Sequence, residues 1–291
     1  MTGKSVTKVY DLKVVTGNED FFERFASNQI DLGKSESTVE VYVRELKKLD
    51  EWLKVSNSNI QDITRFDVQS YMKHLKELGR SAATIDRIFG TISVLSKYLG
   101  KHNIVENIKR VKKQKTSSIA PKSLERNEIN GLLRDVEKDG SLRNIAIINL
   151  LAYTGIRIGE LVSLTLNDIE LKRGGVIRVI GKGDKQRTVP LPSEARYHIQ
   201  RYLDDRTDNH DALFVSNYDK PLSKRSAQRV VEKYGHHAHE LRHTYCRNLI
   251  KKGYDIVTVS QLAGHETIEV TKRYSMASMN ELNSEIDNLY I

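Results

Sequence analysis

Histidine and arginine crowd into one short stretch, GHHAHELRH at residues 235–243. On a helix, His239 and His243 would lie one turn apart on one face, which is the spacing of the zinc-binding pattern H-E-x-x-H. Arg242 would share that face, and a fixed positive charge beside a divalent cation makes metal binding costly. A third ligand would also be needed, and Glu266 is the nearest downstream acid at a suitable distance. A zinc peptidase site is therefore the weaker interpretation, and ordinary helix residues are another alternative.

Catalysis at a phosphodiester without a metal ion would use the same residue types differently. Such a site needs positive charges on the non-bridging oxygens, where charge develops in the transition state. Arginine suits this task because its guanidinium is planar, forked and permanently charged. The site also needs a hydroxyl nucleophile and a proton donor for the leaving oxygen. His239 and Arg242 would serve such a site from one face of a helix.

Two segments upstream of this stretch carry more charge. TGIRIGEL at residues 154–161 places Arg157 just past a helix-ending glycine and Glu160 one turn further on. GVIRVIGKGDKQRTVPL at residues 175–191 has β-branched residues on both sides of a glycine-rich turn. This pattern predicts a β-hairpin with Lys182 at its tip.

A segment downstream supplies a hydroxyl group. LAGHETIEVTKRYS at residues 262–275 carries His265 beside a glycine, and Tyr274 follows nine residues later on a predicted short helix. Tyrosine has an ordinary pKa of about 10 and is a poor nucleophile at neutral pH. Neighbouring guanidinium groups are expected to lower the pKa of Tyr274 and to stabilise the developing charge. Without the spacing to His265, Tyr274 would be one of 13 tyrosines with no distinguishing feature.

Together these segments resemble the tyrosine recombinase, or phage-integrase-like, family. The family's motifs are T-G-x-R-x-x-E-L, G-K-G-x-K in a β turn, H-x-L-R-H, L-G-H, and a tyrosine nine residues after that last histidine. All five occur here in this order, and the resemblance covers roughly residues 18–291. The chain departs from the family at two points. A-G-H stands where L-G-H is more frequent, and the approach from Gly235 to His239 is shorter than usual.

The resemblance implies a role at the reacting phosphate for most of the matched residues. Tyr274 would attack the scissile phosphate and form a 3′-phosphotyrosyl bond, releasing a 5′-hydroxyl group. Arg157 and Arg242 would clamp the phosphate oxygens, and His265 would form a hydrogen bond to the phosphate. His239 would assist proton transfer at Tyr274. The phosphotyrosyl ester would retain the energy of the broken bond, so religation would need neither ATP nor a metal, and no cofactor is implied.

The remaining matched residues would act on the leaving group or behind the site. Lys182 would be the general acid for the 5′-oxygen, because its G-K-G placement matches the family, and Lys185 is the substitute. Lys185 and Arg187 are alternatively expected to touch phosphates of the DNA backbone. Glu160 would support the region around the first arginine, and His243 would pack or form a hydrogen bond behind the reacting groups.

The composition indicates a basic globular protein. The chain has 291 residues, a formal net charge of +9 and 38% hydrophobic residues, so it can bury a sizeable core. Surplus positive charge favours polyanionic partners because neutralised phosphates release counterions. The longest apolar runs are too short to span a bilayer, and the N-terminus lacks the apolar core of a signal peptide, so no membrane partner is expected. The single cysteine, Cys246, excludes an internal disulfide, is expected to be a small packed residue, and fits a reducing, cytoplasmic compartment.

Helical periodicity dominates the chain, and the predicted fold class is mainly α with a small antiparallel β element. We predict a tail at 1–17, a helical domain at 18–107, a basic linker at 108–122 and a catalytic domain at 123–291. The helical domain resembles the family's SAM-like core-binding domain. The tail is too short for the accessory domain of some integrases, so the chain resembles the compact two-domain members, such as the Xer-type and transposon resolvases.

Individual helices follow from apolar spacing and helix caps. In the first domain we predict helices at 37–53, 65–78 and 81–99, the first opening with Ser37 and Glu40 at capping-box spacing. In the second domain the predicted helices lie at 124–136, 141–155, 193–205, 224–234, 239–252, 255–263 and 267–275.

Basic residues outside the catalytic motifs are expected to contact DNA. The linker contains six lysines or arginines and no acid, so we expect a tether along the DNA backbone, with a solvated charge run as the alternative. Two arginines four residues apart in the predicted helix at 224–234 would share a face and reach base edges or phosphates. The expected DNA contacts are Lys109, Arg110, Lys112, Lys113, Lys185, Arg225 and Arg229.

The resemblance also implies partners. A homotetramer would synapse two double-stranded DNA sites with inverted-repeat cores and exchange strands through a Holliday junction, with accessory DNA-bending or partner recombinase proteins in some systems. An apolar stripe at 278–291 would dock on a neighbouring protomer, and packing in cis is the alternative. Two other function classes remain open. A DNA-binding regulator would lack a catalytic residue, and a type IB topoisomerase would relax supercoils at arbitrary sequences.

Overall fold

The protein is represented by a computed structural model that describes residues 18–110, 121–181 and 185–276. No helix in these three ranges is both long enough and apolar enough to cross a membrane. Several predicted features lie outside the described residues: the tail at 1–17, Lys112 and Lys113 of the linker, Lys182, and the C-terminal stripe at 278–291.

The chain divides into two compact units, Met1–Lys115 and Thr116–Ile291, and the division falls within the predicted linker. The core of the first unit includes Phe21, Phe22 and Phe25, which belong to a first helix that the sequence analysis did not predict. The described helices of this unit are α1 (Glu19–Asp31), α2 (Glu36–Val55), α3 (Arg65–Glu77) and α4 (Ala82–Tyr98), with 3₁₀ turns at Ile60–Asp62 and His102–Ile104.

Local hydrogen bonds explain where these helices begin. Thr64 forms a capping box at the start of α3, and the Ser81 hydroxyl accepts from the backbone of α4. The predicted capping box of Ser37 and Glu40 is wrong. The α2 helix begins one residue earlier, and Ser35 is its N-cap residue with an extended backbone.

The second unit is mostly helical with one hairpin among its described residues. Its central helix is α6, in which Ile145, Ile147, Ile148 and Leu150 are at most 1% exposed. A helix that is apolar on nearly every face belongs in the middle of a domain, and α6 packs against α5, α8, α9 and α10. The elements are α5 (Arg126–Asp139), α6 (Leu142–Thr154), α7 (Ile158–Ser163), β1 (Val176–Ile180), β2 (Gln186–Pro190), α8 (Ser193–Asp205), α9 (Lys224–Glu232), α10 (Ala238–Lys251), α11 (Ile256–Ala263) and α12 (Ile268–Lys272).

The predicted hairpin is present as an antiparallel pair. Val176 pairs with Pro190, and Ile180 pairs with Gln186. The connection between the strands therefore contains the position of Lys182, which is not among the described residues. The prediction of a mainly α fold with a small antiparallel β element is confirmed.

Candidate active site

The structure brings six of the predicted residues together in the second unit. They come from distant parts of the chain and are linked by hydrogen bonds and ring contacts through the ends of α6, α10, α11 and α12. The six are Arg157, His239, Arg242, His243, His265 and Tyr274.

Arg242 lies at the centre of this cluster. Its side chain is buried and donates from one nitrogen to the Gly155 carbonyl at 2.7 Å and from the other to the Ala263 carbonyl at 2.6 Å. Gly155 ends α6 in the left-handed conformation, and Ala263 is the last residue of α11, so both acceptors lie at negative helix termini. A guanidinium has five N–H donors. Within the described ranges Arg242 uses two of them on these carbonyls, which leaves three for an oxygen-rich group such as a phosphate.

Arg157 is held beside Arg242 by an ion-pair network. It is the N-cap residue of α7 and donates from its side chain to Glu160 at 2.9 Å and to the Gly264 carbonyl at 2.6 Å. Glu160 also receives two hydrogen bonds from Arg187 on β2, at 2.8 and 2.9 Å. Glu160 therefore pairs with both Arg157 and Arg187.

Arg187 belongs to this cluster, which the sequence analysis did not predict. A contact with DNA phosphates was one alternative for it, but its guanidinium is engaged by Glu160 and by the Leu262 carbonyl at 3.1 Å. The guanidinium also occupies the space that a side chain at Gly264 would need, at 2.7 Å from the ideal Cβ position. The sequence offered one indication that Arg187 belongs here. A carboxylate that is buried in the fold, such as that of Glu160, requires cationic partners.

Substitution of Glu160 by glutamine is expected to lower the free energy of unfolding by about 3 kcal/mol, because it leaves two arginines without their shared buried anion. Burial favours protonation, but hydrogen bonds from Arg187 and Arg157 outweigh it, so the pKa of Glu160 is lowered in the fold. The ionised Glu160 therefore contributes its full stabilisation at pH values above the ordinary carboxyl pKa. This stabilisation is lost as the pH falls through the lowered pKa of Glu160. Denaturant unfolding at neutral and acidic pH measures both effects.

Glu170→Gln is the matched control for this prediction. Its carboxylate pairs with Arg178 at 3.0 Å, and both side chains are about a third or more exposed. Exposed pairs contribute less than about 1 kcal/mol. Equal losses in the two variants would contradict the importance of the buried network.

Two of the cluster's histidines are half-buried and one is exposed. His239 is exposed in the first turn of α10, and its ring centroid lies 6.2 Å from that of His243 one turn deeper. The His265 ring stacks on Tyr274 at 5.7 Å and forms a 2.8 Å hydrogen bond with Thr271. Burial first, and then nearby cations, lower the pKa of His243 and of His265 to about 4. Both rings are therefore neutral near pH 7.

Tyr274 lies in the turn after α12, rather than on the predicted helix, and its side chain is 5% exposed. It packs with Cys246, Val259 and Ala263, and its hydroxyl lies 2.8 Å from Nδ1 of His243. Burial, and then Cys246, raise its pKa to about 12 against the opposing effect of Arg242. Arg242 and Arg273 act to lower this pKa, as expected, but in this conformation the loss of solvent outweighs them and the net shift is upward. The buried position of Cys246 confirms its packing role.

The residues of HELRH that match the zinc-binding pattern make other contacts in the structure. Glu240 is buried and accepts from the backbone of His237, the N-cap residue of α10, and from Lys122 at 2.8 Å. Nδ1 of His243 faces the hydroxyl of Tyr274. Across the described part of the chain, His, Cys, Asp and Glu side chains form no group of three or more that is arranged to hold a metal ion.

The basic residues proposed to bind DNA lie outside this cluster. Lys109 and Arg110 are exposed in the first unit, and Arg110 rests over the Phe89 ring at 5.1 Å. Lys185, Arg225 and Arg229 are exposed in the second unit. A further cation that the sequence analysis missed follows the cap of α9: Lys224, which contributes to lowering the pKa of His239 and therefore lies near it.

Comparison with known proteins gives relatives over nearly the whole chain. Residues 122–281 match the phage integrase family, and residues 23–103 match the N-terminal SAM-like domain of phage integrases. The tyrosine recombinase XerA of Pyrococcus furiosus is 30% identical over 281 residues, with 94% of this chain and 94% of the relative covered. The TnP I resolvase of Bacillus thuringiensis is 29% identical over 284 residues, with 93% and 100% covered. The same fold is found in a crystal structure of the XerH site-specific recombinase, a post-cleavage complex bound to palindromic difH substrate. The TM-score is 0.71 and the sequence identity 21%, with 94% of this chain and 85% of that chain covered.

Proposed function

Since this chain belongs to the phage integrase family and is a tyrosine recombinase acting in site-specific recombination, we propose that it cuts and rejoins DNA with Tyr274 as the nucleophile. One observation carries this assignment. His243 bonds the Tyr274 hydroxyl and His265 stacks on its ring. Arg242 lies near enough to act on the pKa of Tyr274, and the Arg157 side chain bonds the carbonyl of Gly264, next to His265.

Double-stranded DNA is the proposed substrate. The XerH structure holds its difH substrate after cleavage, and a transposon integrase of the same fold holds circular-intermediate DNA. The net charge of +9 on this chain favours a polyanion. Exposed basic residues of the second unit, including Lys185, Arg225 and Arg229, would bind backbone phosphates or base edges on either side of the scissile bond.

In the proposed cleavage step the Tyr274 oxygen attacks phosphorus and its proton passes to a histidine of the cluster. The bond from phosphorus to the 5′-oxygen breaks. Arg157 and Arg242 hold the non-bridging oxygens, where negative charge increases, and His265 forms a hydrogen bond to one of them. Lys182 gives a proton to the departing 5′-oxygen. Attack of a 5′-hydroxyl from another duplex on the phosphotyrosyl ester reverses each transfer and frees Tyr274.

This scheme requires neither ATP nor a metal, because the phosphotyrosyl ester keeps the energy of the broken phosphodiester. The wider assembly follows the family resemblance. A homotetramer would hold two DNA sites with inverted-repeat cores and pass through a Holliday junction, with residues 278–291 docked on a neighbouring protomer. Accessory DNA-bending or partner recombinase proteins and a cytoplasmic location belong to the same proposal.

The proposal is tested by mixing the protein with DNA flanking its own gene in excess chelator and measuring covalent protein–DNA adduct. We expect an adduct whose yield the chelator does not change. Mass spectrometry of the proteolysed adduct is expected to locate the nucleotide on the peptide containing Tyr274, and sequencing of the DNA end gives the cut site.

Three results would contradict the proposal. Adduct or cleavage that appears only after zinc is added would restore the metal interpretation. Tight DNA binding with no adduct on any substrate would indicate a regulator. Relaxation of supercoils at arbitrary sequences, without exchange between sites, would indicate a topoisomerase.

A further inference from the structure

We propose that His243, rather than His239, is the group that accepts the proton of the Tyr274 hydroxyl. This inference rests on the proposed function of Tyr274 as the nucleophile. It assigns a direct part in proton transfer to a residue that the sequence analysis placed behind the reacting groups.

Distance favours His243 over His239. Nδ1 of His243 lies 2.8 Å from the Tyr274 oxygen, and the two ring centroids are 5.5 Å apart. His239 is one turn closer to the start of α10, exposed, and touches the ring of His243. No hydrogen bond joins His239 to Tyr274 among the contacts of the described residues. A general base must lie within hydrogen-bond reach of the proton that it removes, and His243 meets this condition.

The position of His243 fixes which of its nitrogens is used. An imidazole can accept a proton only on a nitrogen that carries no hydrogen. A tyrosine that donates to Nδ1 therefore requires the tautomer with its hydrogen on Nε2. In that tautomer the lone pair of Nδ1 points at the nucleophile's own proton.

Burial, and then the surrounding charges, keep His243 unprotonated in the resting state. Burial is the main cause of its pKa of about 4, and cations outnumber anions around it. The titratable and charged groups near it are His239, Glu240, Arg242 and Cys246 on α10, His265 after α11, and Arg273 and Tyr274 after α12. A base that is neutral at every pH above about 5 is available throughout the physiological range.

The same environment keeps the proton on tyrosine in the resting state. The pKa of Tyr274 is about 12 and that of His243 about 4, so the hydroxyl stays protonated without substrate. When the oxygen attacks phosphorus, its O–H bond breaks, the proton moves to Nδ1 of His243 and an imidazolium forms. The negative charge on the phosphate oxygens would stabilise this cation. On religation the imidazolium returns the proton to the departing Tyr274 oxygen.

The test compares single-turnover rates of adduct formation for wild type, His243→Asn and His239→Asn. The asparagine oxygen can replace Nδ1 as a hydrogen-bond acceptor at position 243 but cannot take up a proton. We expect His243→Asn to bind DNA like wild type and to form adduct about 10²- to 10⁴-fold more slowly at pH 7, the usual effect of losing a general base. His102→Asn, at an exposed site in the first unit, is the matched control.

The pH profile separates proton transfer from positioning. The wild-type rate is expected to change little between pH 6.5 and 8.5, whereas the His243→Asn rate should rise about tenfold per pH unit because hydroxide then removes the tyrosine proton. Added imidazole should restore part of the rate of His243→Gly. A structural role alone would produce neither effect.

Other outcomes separate this inference from the proposed function. Wild-type protein that forms no adduct would contradict the proposed function. Adduct from wild type together with a near-wild-type rate and a flat profile in His243→Asn would overturn only the role of His243. If the rate of His239→Asn rises steeply with pH while that of His243→Asn does not, His239 is the group that accepts the proton. If His243→Asn does not bind DNA, the pH dependence of the wild-type rate tests the inference instead. A tenfold rise of that rate per pH unit would exclude an internal base.

Discussion

The Tyr274→Phe variant is expected to bind DNA normally and to form no detectable covalent adduct, a loss on the order of 10⁵-fold or more for removal of a nucleophile. The substitution deletes only the oxygen that would bond to phosphorus. The ring should stay in place, because it stacks on His265 and packs against Cys246 and Val259. Loss of the hydrogen bond to His243 would cost about 1 kcal/mol of stability, so the variant should fold.

The measurement is a denaturing gel of end-labelled DNA after incubation with each protein. Tyr254→Phe is the matched control, because this tyrosine is close in sequence but 50% exposed. It should form adduct at the wild-type rate. Persistence of the adduct in Tyr274→Phe would show that another residue attacks the phosphate and would remove the basis of the proposed mechanism.

The Arg242→Lys variant is expected to lose about 10³-fold or more in the rate of cleavage while keeping most of its DNA affinity. Loss of one preorganised donor to a developing oxyanion costs about 10²- to 10³-fold, and loss of a catalytic arginine in phosphoryl transfer about 10³- to 10⁵-fold. Arg242 also joins the ends of α6 and α11 through Gly155 and Ala263. A single ammonium group cannot bond both carbonyls and still present a planar fork to a phosphate.

Arg247→Lys provides the comparison on the same helix. Arg247 is also buried, and its described side-chain hydrogen bonds go to Ser123 and Glu125. We expect this variant to lose stability and to retain the single-turnover rate of adduct formation. Similar rate losses in the two variants would mean that Arg242 acts through the fold of α10 rather than on the phosphate.

Features set by local chemistry were predictable from the sequence. The hairpin followed from β-branched residues around a glycine-rich turn, and α6 from a continuous apolar run that ends at Gly155. The order and spacing of the motifs singled out Arg157, Arg242, His265 and Tyr274 among the many arginines, histidines and tyrosines of the chain. Such predictions work because turn geometry, helix ending and motif spacing involve residues within about a dozen positions of one another.

Errors arose even in locally determined features. Ser35 rather than Ser37 lies at the N-cap of α2, although only Ser37 has an acid three residues later, because either serine can cap a helix. The α1 helix was missed although Phe21, Phe22 and Phe25 supply its buried side. Its thirteen residues contain little other apolar periodicity, so its stability depends on packing against the rest of the unit.

The tertiary structure alone decided the chemical state of the cluster. Residues 87 and 107 positions apart in the chain meet there, in the pairs Gly155 with Arg242 and Arg157 with Gly264. The sequence by itself determined that arginines, histidines and one tyrosine were available in the right order. It did not determine that Tyr274 is buried against His243 with a raised pKa. Burial and the neighbouring charges depend on three-dimensional distances, which sequence spacing does not specify, and they control protonation.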